Sequence, residues 1–76
     1  MQIQVLPFGQ LAEITGKERF AWQAADTDSL QRTLGEKYPA LKERKYAIAV
    51  NRQLVKQNTV LTENAEVALL PPFSGG

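Results

Sequence analysis

The sequence of 76 residues contains neither cysteine nor histidine. Without cysteine, these residues can form no disulfide, no thiol nucleophile and no thiolate-ligated zinc or iron–sulfur centre. Without histidine, they can form no Ser-His-Asp triad and no imidazole-ligated metal site. The commonest nucleophilic and metal-dependent enzymes are therefore excluded. The chain must fold on its apolar side chains, which make up 43% of the sequence.

The sequence also lacks an excess of charge of one sign and a long apolar segment. Nine basic residues stand against eight acidic ones, giving a net charge of +1, far from the basic balance of a nucleic-acid-binding domain. No apolar segment approaches the roughly 20 residues of a membrane-spanning helix, and residues 1–4 lack the basic and apolar regions of a signal peptide. We therefore expect a cytoplasmic protein that binds neither nucleic acid nor a membrane.

Short segments of alternating polar and apolar residues indicate β-strands. The capping residues at 26–29, followed by Leu30 and Leu34 one turn apart, predict a main helix over residues 28–37 that ends before Pro39. One or two further helical turns are predicted within residues 9–16, closed by Gly16. The predicted strands cover residues 2–8, 19–23, 46–50, 54–56 and 66–70.

The predicted order is strand, strand, helix, strand, strand, strand. One helix can cover only one face of a single sheet, because a helix stripe and a sheet face must bury each other's apolar side chains. This α+β arrangement is that of the ubiquitin-like β-grasp fold, with a mixed four- to five-stranded sheet and one main helix on one face. We expect residues 1–70 to form this domain and residues 71–76 to form an extended tail.

Strand alternation gives the predicted sheet two faces, and apolar residues occur on both. The predicted core comprises Ile3, Val5, Phe20, Trp22, Ile48, Val50, Val55, Val67 and Leu69, with Leu30, Leu34 and Leu41 from the helical region. The opposite face carries polar residues together with Leu6, Phe8, Leu54, Ala68 and Leu70. These outer apolar residues have three interpretations: scattered surface side chains, a second small core under residues 9–16, or a docking patch for another protein.

The last six residues are Pro71-Pro72-Phe73-Ser74-Gly75-Gly76. The two prolines stiffen the backbone after the last strand, and the two glycines have no bulky side chains. Six extended residues reach roughly 20 Å, and a glycine pair can thread a narrow channel. A terminal carboxylate is ionised at neutral pH and is a poor electrophile, so a reaction at Gly76 requires prior activation, for example by AMP. Since the sequence has no phosphate-binding loop, we expect no cofactor on the chain itself and ATP to be used by a partner. A glycine-rich end that is merely frayed is the alternative.

Several segments together resemble a known family over essentially the whole chain. They are Phe8-Gly9 with residues 11–16, Ala49-Val50-Asn51 with Leu54-Val55, and residues 66–76 with their Pro-Pro-x-x-Gly-Gly ending. The chain resembles the MoaD/ThiS sulfur-carrier family, and the ending favours the branch of molybdopterin synthase small subunits over the thiamine-pathway carriers. Pro7, Ala12 (where many members have arginine) and the turn at Glu63 and Asn64 depart from the family pattern.

The resemblance implies a sulfur carrier that is not an enzyme on its own. An adenylyltransferase resembling the ubiquitin-activating enzymes would adenylate the carboxylate of Gly76, and a sulfur donor protein would convert it to a thiocarboxylate. Phe73, Ser74 and Gly75 would thread into the large subunit of molybdopterin synthase, in a heterotetramer. There, sulfur would pass to cyclic pyranopterin monophosphate in molybdenum cofactor biosynthesis. The family's docking surface corresponds here to Phe8, Leu54 and Leu70.

Other functions remain compatible with the sequence. The same carrier chemistry could serve thiamine or another sulfur-containing metabolite, or the chain could be a ubiquitin-like modifier joined to protein lysines. A β-grasp interaction module with an inert tail belongs to a different class. Removal of Gly75 and Gly76 separates this last function from the others, because an adaptor keeps its function without them.

Overall fold

Residues 1–72, the part of the chain that the computed structural model describes, form five strands, two α-helices and one 3₁₀ helix. The strands are β1 (Gln2–Pro7), β2 (Phe20–Gln23), β3 (Ala47–Val50), β4 (Gln53–Val55) and β5 (Glu66–Leu70); the helices are α1 (Gln10–Thr15), α2 (Thr27–Lys37) and a 3₁₀ helix, Pro39–Glu43. The sheet order is β2-β1-β5-β3-β4, with β1 and β5 parallel and the other neighbours antiparallel. The predicted ubiquitin-like β-grasp fold, with its mixed sheet and one main helix, is confirmed.

Several strand ends differ from the prediction by one residue, and Pro7 shows why a proline can close a central strand. The pairing of β1 with β2 ends at Val5 and Phe20. The amide of Phe8 donates to the carbonyl of Leu69 on β5 at 3.0 Å, so the backbone of Pro7 faces the other side, beyond the start of β2. Within residues 1–72, no strand is paired there that would need a hydrogen bond from the amide that proline lacks.

The core lies between α2 and the inner face of the sheet. Each residue of the predicted core is either in the buried cluster or packs against it. Trp22 is half-buried at the edge of this core, and its indole Nε1–H donates to the Thr33 hydroxyl of α2 at 3.0 Å. The prediction missed four members of the buried cluster, which lie in α1, in loops or beside strand ends, where the alternation pattern is absent: Leu11, Ala24, Leu61 and Ala65.

Helix α2 begins in a reciprocal capping box. The Asp26 carboxylate accepts from the Ser29 amide at 2.9 Å, and the Asp26 amide donates to the Ser29 hydroxyl at 3.3 Å. Asn58 donates to the second carboxylate oxygen at 3.3 Å. The Ser29 amide, the Ser29 hydroxyl and the Asn58 side chain lower the pKa of Asp26 from its usual value, because all three stabilise the ionised form.

Gly35 is buried in α2, and its close neighbour is the 3₁₀ helix that follows. A Cβ on Gly35 would lie 2.8 Å from Cγ of Lys42 in the 3₁₀ helix. The absence of a side chain therefore lets the Lys42 stem cross the helix at this point. The helical connection after α2, rather than the sheet, explains the glycine.

The turn before β5 contains two of the departures from the family pattern. Asn64 has a φ of 65°, the left-handed conformation that asparagine adopts more readily than most residues. Its amide donates to the Gln2 carbonyl at 2.7 Å, and Glu63 accepts from the Gln2 amide at 3.1 Å. These bonds tie the turn to the start of β1, so the substituted turn keeps a defined geometry.

Candidate functional site

The outer face of the sheet, which α2 does not cover, carries a continuous apolar row. In register, Leu54 pairs with Ala49, Ala49 with Ala68, and Ala68 with Leu6. Directly paired residues point to the same face, so the row crosses β4, β3, β5 and β1 in turn. Ala49 is only 6% exposed. The middle of the row is therefore closely packed, and its side chains are not isolated on the surface.

The structure rules out a second small core under residues 9–16. Leu11 of α1 is 1% exposed and belongs to the same buried cluster as Leu30 and Leu34 of α2. Ile14 packs against that cluster as well. Because α1 closes the main core, it leaves the outer face of the sheet uncovered.

The predicted patch residues Phe8, Leu54 and Leu70 occupy three parts of this outer face. Leu54 on the edge strand β4 is 64% exposed, and Phe8 just beyond β1 is 48% exposed. Leu70 is half-buried at the end of β5, where it pairs with Ala47. Together with the row they define what we call the outer apolar face: Leu6, Phe8, Ala49, Leu54, Ala68 and Leu70.

The chain leaves the sheet beside this face, at a contact between Gly9 and Pro71. Gly9 has a φ of 57°, and a Cβ there would lie 3.2 Å from Cγ of Pro71. The conformation and the tight space both favour glycine at this position. The loop after β1 therefore holds the start of the segment that follows β5 next to Phe8.

The residues predicted to carry the chemistry lie outside the described part of the chain. They are Phe73, Ser74 and Gly75, predicted to thread into a partner, and Gly76, predicted to carry the reactive group. The described chain leads towards this segment from the end of β5, through Leu70 of the outer apolar face and Pro71 beside Gly9.

Charged residues border the outer apolar face at one shallow cavity of about 290 Å³. Leu6, Phe8 and Ala68 line it together with Arg19, Arg52 and Glu66. The Arg19 guanidinium lies 3.7 Å from the Glu66 carboxylate, and its Nε donates to Gln4 Oε1 at 3.5 Å. Neither Arg19 nor Arg52 was predicted as a site residue; the signal for Arg52 is its position between the two predicted strands at residues 46–50 and 54–56.

A larger cleft of about 700 Å³ lies on the opposite side, between α2, the 3₁₀ helix and the loop that leads into β3. Charged side chains, among them Arg32, Glu36 and Lys42, line it together with Tyr46, whose pKa is raised by its partial burial. Within residues 1–72 no group of acidic side chains is arranged to hold a metal ion, and no helix there has the length and apolarity to cross a membrane.

Comparison with known proteins identifies relatives over the whole length of the chain. The ThiS family model matches residues 5–76. The molybdopterin synthase sulfur carrier subunit of Caenorhabditis elegans is 31% identical, with 100% of this chain and 99% of the relative covered.

Solved structures share the fold. A chain from the protein-protein complex of subunits 1 and 2 of molybdopterin-converting factor from Helicobacter pylori is 35% identical, with both chains fully covered and a TM-score of 0.74. The small archaeal modifier protein 1 of Methanosarcina acetivorans has a TM-score of 0.85 at 24% identity, covering 99% of this chain and 96% of its own; at that identity the likeness shows the fold alone. With the family model matched from residue 5 to residue 76, this chain belongs to the ThiS family of β-grasp proteins.

Proposed function

We propose that the chain is the sulfur carrier subunit of a molybdopterin synthase, in which the carboxylate of Gly76 carries the sulfur. The observation that supports this most is the full-length match to sulfur carrier subunits of that enzyme, which extends through the Gly-Gly ending. The place where the chain leaves β5, beside an uncovered apolar face, suits a tail that enters a partner docked on that face.

The chemistry divides between this chain and its partners. An adenylyltransferase joins the Gly76 carboxylate to AMP with release of pyrophosphate, and a sulfur donor then displaces AMP to leave a thiocarboxylate. The thiocarboxylate sulfur forms a C–S bond to a side-chain carbon of cyclic pyranopterin monophosphate, and the C–O bond on that carbon breaks so that its oxygen group leaves. Water then cleaves the resulting thioester and restores the carboxylate. Two such transfers supply the two sulfurs of the dithiolene, and the chain contributes the carrier group rather than a catalytic acid or base.

The large subunit of the synthase is the proposed docking partner. The relative from Helicobacter pylori belongs to a complex of subunits 1 and 2 of molybdopterin-converting factor, and the outer apolar face offers Phe8 and Leu54 as exposed anchors. A partner that covers this face is also near the start of the tail, because Pro71 lies beside Gly9, the residue after Phe8. A cytoplasmic location is part of the proposal, because the adenylyltransferase needs ATP.

Intact-protein mass spectrometry tests the loading step. The purified chain is incubated with its adenylyltransferase, ATP and a sulfur donor, and we expect a gain of about 16 Da, the difference between a sulfur and an oxygen atom. A variant with one residue added after Gly76 should fold normally and gain nothing. Loading of that extended variant, or no gain by the native chain with an activating enzyme that loads another carrier, contradicts the proposal.

The main alternative is a ubiquitin-like modifier, and the likeness to the archaeal modifier protein bears on it only through the fold. In that case, activation would lead to isopeptide bonds between Gly76 and lysines of other proteins. The same mass measurement distinguishes the two: a carrier gains a sulfur and stays a separate chain, whereas a modifier appears attached to a second polypeptide.

A further inference from the structure

We propose that Arg52 is a specificity residue of the outer apolar face, where it binds a carboxylate of the partner protein. The same partner places an apolar side chain in the adjacent cavity. This inference rests on the proposed function, because it concerns the surface that the large subunit of the synthase would cover. It assigns to that subunit an acidic residue next to an apolar one.

The backbone at Arg52 is the first observation. A two-residue turn joins β3 and β4, with φ of 49° at Asn51 and 72° at Arg52. Both positions require the left-handed conformation; asparagine is common at the first and glycine at the second. An arginine at the second position is disfavoured, so the turn alone does not account for this residue.

The turn is otherwise well supported, which holds Arg52 in place. The Asn51 amide donates to the Glu66 carbonyl at 2.8 Å, and the Glu66 amide donates to the Asn51 side chain at 3.0 Å. These two bonds fix the turn against the start of β5. Arg52 consequently lines the cavity with Leu6 and Phe8 instead of extending from a loose loop.

The charges around the cavity are unbalanced. Two guanidiniums, from Arg19 and Arg52, and a single carboxylate, from Glu66, line it. Arg19 is engaged by Glu66 and Gln4, whereas Arg52 has no ion-pair partner among residues 1–72. The face therefore presents a spare positive charge beside apolar walls, which is complementary to a partner carboxylate flanked by an apolar side chain.

The size of the cavity indicates what enters it. Its volume of about 290 Å³ is at the lower limit of small-molecule pockets, which span roughly 300–1,000 Å³. Its apolar walls are Leu6, Phe8 and Ala68, and they continue into the outer apolar face. A protruding side chain of a docked protein fits this site better than a free metabolite does.

Binding of the large subunit to matched variants tests the proposal by isothermal titration calorimetry. We expect Arg52→Gln to weaken binding about three- to tenfold at about 50 mM salt, and the difference from the native chain to shrink at about 500 mM salt, where exposed charges are screened. Arg52→Lys should recover part of the loss. The control is Arg32→Gln, which removes the same charge on the opposite cleft and should leave the affinity within about twofold.

Equal affinity and equal salt dependence for Arg52→Gln and the native chain would overturn the assignment of Arg52 while leaving the proposed function intact. An equal loss in Arg32→Gln would also overturn it, because net charge alone would then explain the effect. If the native chain does not bind the large subunit, the proposed function itself fails, and the partner assigned to Arg52 fails with it.

A stability measurement separates recognition from folding. Arg52→Gly places the favoured residue in the left-handed position, and we expect the melting temperature to rise by about 2–5 °C, while binding weakens as in Arg52→Gln. A lower melting temperature in Arg52→Gly would show that Arg52 serves the turn. That result would contradict its assignment to recognition.

Discussion

At the residue scale, Asp26 shows how one side chain can hold two segments of the chain together. It caps α2 through Ser29 and also accepts from Asn58 in the segment that precedes β5. Thr27, next along the chain, is buried, and its hydroxyl accepts from the Thr59 amide at 3.0 Å. The start of the main helix and this segment are therefore held by one polar network, in which the Asp26 carboxylate is the charged member.

Replacement of Asp26 should lower stability in a pH-dependent way. We expect Asp26→Ala to lower the melting temperature by about 4–8 °C at neutral pH, because the cap is lost. Asp26→Asn, which keeps an acceptor but not the charge, should lose less. Since folding lowers the pKa of Asp26 below the unfolded value of 3.8, the ionised cap stabilises the fold above pH 3.8. That contribution is lost as the pH falls through the folded-state pKa.

Thermal unfolding of the native chain and Asp26→Asn, followed by circular dichroism from neutral to strongly acidic pH, checks this. The gap between the two melting temperatures should close as the pH falls below the folded-state pKa of Asp26. A gap that stays constant over that range would mean that the charge of Asp26 does not contribute to stability.

Individual residues could be predicted from the sequence where the signal was local. The cap at residues 26–29 and the helix end at Gly16 follow from side-chain chemistry within one turn of the chain. The role of Gly35 could not be predicted, because it depends on Lys42 crossing α2 in three dimensions. Arg52 was placed in a turn, but its place beside Leu6 and Phe8 depends on the pairing of distant strands.

At the scale of elements, the parallel pairing of β1 and β5 shapes the candidate site. It brings Leu6 next to Ala68. Because the two strands are parallel, both finish at the same end of the sheet, where Phe8 and Leu70 lie. Alternation within each strand was enough to predict which residues share a face. Strand order was needed to show that those residues form one row, and the sequence contains no local signal for that order.

Charge placed on the outer apolar face should weaken docking. We expect Leu54→Glu to weaken binding to the large subunit by about tenfold to a hundredfold, because a carboxylate would be buried in a dry interface. Leu70→Asp should act in the same direction. Val60→Glu is the matched control, since Val60 is 77% exposed and lies outside this face, in a bridge to Asp26.

Surface plasmon resonance with the large subunit immobilised gives these affinities, and circular dichroism checks that each variant is folded. Val60→Glu should bind like the native chain. Native-like affinity in both Leu54→Glu and Leu70→Asp would mean that the partner binds elsewhere.

At the scale of the whole molecule, the lack of cysteine bears on where a carrier can hold sulfur. These 76 residues include no cysteine and so offer no thiol for sulfur, and the proposed carrier holds it on the Gly76 carboxylate. The fold was predictable from strand and helix patterns, because the core follows them closely. Leu61 and Ala65 were not predicted, because they are buried residues of the loop before β5, where no alternation pattern marks them. The roles of Phe73, Ser74, Gly75 and Gly76 stay predictions.

The most direct test of the central claim is a single-turnover mass measurement on the loaded chain. The thiocarboxylated protein is mixed with the large subunit and cyclic pyranopterin monophosphate, and its intact mass is followed over time. We predict a loss of about 16 Da, returning Gly76 to a carboxylate, and only when both the large subunit and the pterin are present. A mass that does not change in the complete mixture would contradict the account.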